Sequence, residues 1–144
     1  MVVVAAALAL GASACSLFSP AYRDASGQVT ATASVSISSL KVGDCVFNVS
    51  NLGSQITKVQ VVPCSSSHEG EVFATETSVP NVASDIADYC TNQFALYIGL
   101  DFNSSSLTAK YFSNASPSAA DTDVQCMVFS PGVMVTQSYK DSQQ

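Results

Sequence analysis

Tryptophan is absent from this chain, histidine occurs once, and only five of its 144 residues are basic. Each shortage closes off a class of function. With His68 as the sole histidine, any Ser-His-Asp or Cys-His machinery has a single base to use. Five Lys and Arg against eleven Asp and Glu leave a formal net charge of -6, so there are few cations to neutralise phosphates and no nucleic-acid partner is expected. The same balance repels anionic lipid surfaces, and attachment to a bilayer has to be covalent or protein-mediated. No cysteine pair has C-x-x-C spacing and histidines are too few, so no metal and no cofactor is expected. A spanning helix needs roughly 20 apolar residues, and the leading apolar run, residues 2–10, has nine.

That run is nevertheless informative. It consists of Val, Ala and Leu, is followed by the small residues 11–14, and ends at Cys15. This is the layout of a secretory signal peptide over 1–14, with an apolar core and a small-residue cleavage zone. Ala12-Ser13-Ala14-Cys15 resembles the bacterial lipobox, which implies that Cys15 carries a diacylglycerol with palmitate-type chains. Two departures stand out: Ala12 replaces the usual branched apolar residue, and no positive charge precedes Val2, so the natural start is expected upstream. Plain cleavage near Ala14 is the alternative. Two acyl chains suffice for stable anchoring, since each buried methylene contributes about 0.8 kcal/mol. Residues 15–39, with the Ser-, Ala- and Thr-rich stretch 21–39, read as a flexible tether.

Five cysteines are an odd number for an exported protein. Assigning Cys15 to the lipid leaves Cys45, Cys64, Cys90 and Cys126 to form two disulfides in an oxidising compartment. Three connectivities are possible. Cys45 with Cys64 and Cys90 with Cys126 is favoured, because the first closes a hairpin-like segment and the second pins a helix to a late strand.

CVFNV at 45–49 is β-branched and aromatic after a turn at 41–44, and predicts a strand. ITKVQVV at 56–62 alternates until Pro63 ends it. EVFATET at 71–77 is a third strand, after a polar loop. Apolar residues at Val82, Ile86, Cys90, Phe94 and Ile98, joined by Tyr89 and Tyr97, predict an amphipathic helix that Gly99 stops. Asn81 or Ser84 is expected to cap it. Residues 107–113 and 124–130 are strands, with Val124, Cys126 and Val128 on one face; 133–136 add a short extension, and 116–123 form a loop. The order βββαββ gives an α+β domain, about five strands in an antiparallel or mixed sheet with one helix packed across it. The domain is expected over 40–137, followed by a polar tail at 138–144.

These residues also resemble a family. Val42-Gly43-Asp44-Cys45-Val46-Phe47, the segment VVPCSSSHEGEVFA from Val61 to Ala74, Cys90 with Phe94 and Tyr97-Ile98-Gly99, and finally Cys126 are similar to the septum-formation-related domain of actinobacterial membrane proteins and lipoproteins. The resemblance spans about residues 40–129. It implies an envelope-exposed domain, tethered by a lipid or a membrane helix and associated with cell division. It carries no enzymatic activity. The family usually has a Trp in the loop before the last cysteine, and here Ala119-Ala120-Asp121-Thr122-Asp123 stands instead.

The chemistry-bearing residues cluster in that segment. Cys64 and His68, four apart, invite a thiol nucleophile with its base, but a cysteine already in a disulfide is no thiolate. His68 is expected to have a structural or recognition role in the loop. Glu69 and Glu71, two apart, invite a paired-carboxylate reading for glycosidic hydrolysis, whereas exposed solubilising charges are the simpler expectation. The chain therefore reads as a monomeric, non-catalytic binding module held on the extracytoplasmic face of the membrane, with an envelope protein or the cell wall as partner. Its rivals are a small envelope hydrolase using Glu69, Glu71 or His68, and an envelope redox protein.

Overall fold

Residues 124–129 are buried without interruption, which marks an interior strand of a sheet. Val124, Cys126 and Val128 enter one apolar cluster, while Met127 and Phe129 enter another on the opposite face. A strand read as apolar on one face is thus apolar on both, as expected of a sheet covered on each side. The computed structural model describes residues 23–53, 56–114 and 118–144. The expected signal peptide over 1–14 and the lipid site Cys15 lie outside the described residues.

The elements run β1 (Ala33–Ser36), β2 (Cys45–Val46), β3 (Lys58–Val62), β4 (Gly70–Pro80), α1 (Ala83–Ile98), β5 (Thr108–Ser113) and β6 (Asp121–Phe129), with short 3-10 turns at Ile37–Ser39 and Phe102–Ser104. Among the described residues six strands pair antiparallel in the order β1-β3-β2-β4-β6-β5. The described residues form an α+β architecture, one helix packed on an antiparallel sheet with two disulfides, and six strands rather than five.

α1 buries Ile86, Cys90, Phe94, Tyr97 and Ile98. Phe94 meets Phe73 and Phe102 edge to face, with ring centroids 5.7 and 5.1 Å apart; a fully buried aromatic of this kind contributes about 1.5–3 kcal/mol. Gly99 closes the helix in the left-handed region at φ 79°, and its N–H donates to the Ala95 carbonyl. The expected side-chain cap is corrected: Val82 holds the capping position without a side-chain bond. Asn81 is engaged elsewhere, donating to the carbonyls of Ala119 and Ala120.

Other boundaries shift for physical reasons. β2 ends after two residues because the N–H groups of Val49 and Ser50 turn to a carboxylate instead of a neighbouring strand. The loop expected over 116–123 gives way from Asp121, where β6 pairs with Pro80 at the end of a longer β4.

The tether expected over 15–39 is corrected across its described part. Arg23 bridges to Val29, β1 pairs with β3, and Val29, Val35 and Ile37 are buried. Arg23 grips Asp44 with two guanidinium bonds of 2.6 and 2.7 Å, while Asp44 also accepts the Lys41 N–H. The tail expected over 138–144 is corrected as well. Tyr139 is buried, the N–H of Asp141 donates to the Tyr97 carbonyl, and that of Gln143 to the Ile98 carbonyl.

Candidate functional site

The segment from Ser66 to Glu71 enters the sheet between β2 and β6, and Gly70 allows this. A Cβ at Gly70 would sit 2.6 Å from Val49 Cγ2 and 2.7 Å from the Val128 carbonyl oxygen. Only glycine lets the backbone come so close. The two residues beside it, Glu69 and Glu71, are each 2% exposed. The expectation of exposed solubilising charges is therefore corrected for both: each carboxylate enters the interior because protein donors replace its water.

Glu69 works as a clamp between loops. Its Oε2 accepts the N–H groups of Val49 at 2.6 Å and Ser50 at 2.8 Å, and its Oε1 accepts that of Gly132 at 2.9 Å. Burial pushes this carboxyl up, but the backbone donors of Ser50, Gly132 and Val49 with the Ser50 hydroxyl outweigh it and hold it below its ordinary range. Glu71 fastens the C-terminal segment to the helix. It accepts the Tyr97 hydroxyl at 2.7 Å, the Ser138 hydroxyl at 2.8 Å and the Tyr139 N–H at 2.6 Å. Burial, reinforced by the Glu71 carboxylate, drives the Tyr97 phenol far above its normal value.

His68 is fully buried. Its backbone exchanges two hydrogen bonds with Val135, at 2.9 and 2.8 Å, so the short extension expected over 133–136 is a single bridge at Val135. Nδ1 lies 2.8 Å from the Ser66 carbonyl. A carbonyl can only accept, so Nδ1 carries the proton in the neutral ring. Nε2 is buried with no hydrogen-bond partner among the described residues, and the ring stands edge-on to Tyr139 at 6.4 Å.

Both disulfides form as Cys45–Cys64 and Cys90–Cys126. The first leaves Cys64 without a thiolate for His68 to activate. One ligand atom each of Cys45, Cys64 and Glu71 lies within 4.8 Å of the others, but the two sulfurs are bonded to one another and are not thiolate donors. No helix among the described residues is long and apolar enough to cross a membrane.

The clamp creates a groove. Residues 47–51 and 130–134, both fixed by Glu69, form its walls, and it encloses about 390 Å³ lined by Phe47, Asn48, Ser50, Asn51, Ser67, Glu69, Gly132 and Met134. Of His68, Glu69 and Glu71, only Glu69 lines this groove; Ser138, Tyr139, Gly132 and Arg23 went unnoticed in the sequence, and Tyr97 and Asp44 were read only as residues of the helix stripe, the turn and the resemblance. Nothing in the local sequence marks Ser138 or Tyr139, because their role depends on a contact 67 or 68 positions away. Comparison with family models, with curated proteins and with solved structures finds no match.

Glu69 sets a pH dependence. Its folded value is depressed, so between that value and the ordinary carboxylate range the unfolded chain binds more protons than the folded one, and stability rises with pH there. The stabilisation is present above about pH 4.3 and is lost as pH falls through the folded value. Melting temperature measured from pH 7 downward should fall steeply once below about pH 4. Glu69→Gln should melt lower than the parent at neutral pH and show a shallower acid decline. An acid decline of equal slope in both proteins would refute the assignment.

Proposed function

We propose that the protein is an exported, lipid-anchored, non-catalytic binding module on the extracytoplasmic face of the membrane, connected with septum formation. The observation that carries the export half is the pair of disulfides joining four of the five cysteines. Such bonds persist in oxidising compartments and are rare in the cytosol, and the remaining cysteine is the one at the lipobox-like site. The division half follows from the resemblance over 40–129.

A lipid on Cys15 would act through a short leash. From Cys15 to the docked Arg23 is eight residues, at most about 28 Å of extended chain, so the module stands close to the bilayer. The hydrolase reading is disfavoured by Glu69. Glycosidic cleavage needs one carboxyl raised to serve as acid, and this one is lowered. Glu71 has both oxygens committed to protein donors. A redox role is disfavoured by the burial of Cys45, Cys90 and Cys126.

Intact-mass analysis of the mature protein tests the anchor: cleavage before Cys15, two acyl chains and the loss of four hydrogens are expected together. Imaging of a fluorescent fusion tests the division link. Enrichment at division sites is expected; uniform envelope labelling, with normal division after deletion, would overturn it.

A further inference from the structure

The groove between residues 47–51 and 130–134 has the makings of a ligand site. Its volume of about 390 Å³ falls within the range of about 300–1,000 Å³ typical of small-ligand sites. Both walls are tied to one buried carboxylate, so the shape is fixed before anything binds, which lowers the ordering cost of recognition.

The lining narrows the chemistry. Phe47 and Met134, at 43% and 44% exposed, are two of the larger apolar side chains left open to solvent, and both line the groove. The same lining includes two side-chain amides, Asn48 and Asn51, and two hydroxyls, Ser50 and Ser67. The Ser50 hydroxyl is already turned to Glu69 and the Asn48 Oδ1 accepts the Asn51 N–H, which leaves the two side-chain NH2 groups, the Asn51 Oδ1 and the Ser67 hydroxyl to donate and accept hydrogen bonds. No Lys or Arg is among the lining residues, and the chain carries a net charge of -6. Phosphates, lipid headgroups and other anions therefore have no counter-charge there. Glu69 has already committed its oxygens to backbone donors, so it offers no strong partner to a cation either.

What suits such a lining is uncharged, rich in groups that donate and accept, and flat enough on one side to rest on an apolar surface. We infer that the groove binds a neutral glycan bearing acetamido groups, the amides meeting Asn48 and Asn51 and the ring and methyl faces resting on Phe47 and Met134. This rests on the reading of the protein as an envelope-displayed binding module and names its ligand class. A polypeptide is the competing occupant. Its backbone amides could pair with the same groups, but the walls at 47–51 and 130–134 lie outside the named strands and offer no strand edge for an extended peptide to join, and two large apolar side chains are few for seating a helix.

The probe is the trisaccharide of N-acetylglucosamine, titrated into the purified full chain while backbone amide NMR signals are followed. Saturable shifts confined to residues 47–51, 67 and 130–134 are expected, with little response to a dextran oligosaccharide lacking acetamido groups. Phe47→Ala should weaken binding about tenfold, by removing the apolar platform, and because Phe47 belongs to neither apolar cluster of the core its melting temperature should stay near that of the parent. Ser67→Ala, at another exposed position, gives a second variant whose fold is not at risk and should weaken binding severalfold. Equal response to dextran would overturn the acetamido assignment. Shifts with a short apolar peptide alone would replace the glycan by a polypeptide, and no shift with the trisaccharide would remove the proposal. Because binding is read on purified protein, failure here is distinct from failure of the export and division reading, which localisation decides.

Discussion

Replacing Glu71 by alanine should destabilise the domain by about 3–5 kcal/mol, since a buried donor left without its acceptor costs about 1–3 kcal/mol and this change strands more than one. The Tyr97 hydroxyl and the Tyr139 N–H both end on this carboxylate, in buried bonds. Ser138 is nearer the surface and can turn its hydroxyl to water. Set against a total stability of about 5–15 kcal/mol for a domain, the loss is a large share. Glu71→Gln keeps the size and one accepting oxygen, so it should cost roughly half as much. Urea denaturation gives both numbers. Hydrogen exchange adds a local signature: the amides of Tyr139, Asp141 and Gln143 should lose protection ahead of the sheet, because Glu71 joins their segment to α1 and β4. A loss below about 1 kcal/mol would mean that water substitutes freely for the carboxylate, and the anchoring role would be wrong.

The elements that were legible in the sequence are those whose pattern is local. The stripe Ile86, Cys90, Phe94 and Ile98 repeats at the helical period, and each of these residues is buried in α1. Pro63 stops β3 where a missing N–H must. The preferred cysteine pairing also holds, because it was argued from elements that form. β1 escaped notice because its strand, ASVS, is made of small residues. Its signal was the two-residue spacing of Val35 and Ile37, both buried, which is weaker than the Ser and Ala composition around it. The site failed differently. Glu69 and Glu71 were placed in the right segment and given the wrong environment, because composition assigns carboxylates to water and only the tertiary fold brings in the N–H groups of Val49, Ser50, Gly132 and Tyr139. Those donors come from segments without regular structure. A loop amide turned inward has no sequence signature.

Opening the disulfides should have an effect of similar size, and unequal for the two. Chain-entropy reasoning gives about 3.8 kcal/mol for Cys90–Cys126 and about 3.2 kcal/mol for Cys45–Cys64, from separations of 36 and 19 residues. Packing widens the gap. Cys90 and Cys126 lie in the apolar cluster under α1, so Cys90→Ala with Cys126→Ala also removes buried sulfur beside Phe94 and leaves unfilled space. Cys64 is only partly buried, and at its end the chain can relax. The double variant at 90 and 126 should lose on the order of 10–20 °C in Tm, and the one at 45 and 64 less. Calorimetry under non-reducing conditions measures both, and the reverse order would show that β2 with β3, not the helix, limits stability. The same dependence bears on where the protein works. A chain that draws this much of its stability from two oxidised pairs would be marginal in a reducing cytosol. Thiol labelling of the unreduced protein from envelope fractions should therefore find none of the four cysteines free, and labelling at any of them would separate the fold from the compartment proposed for it.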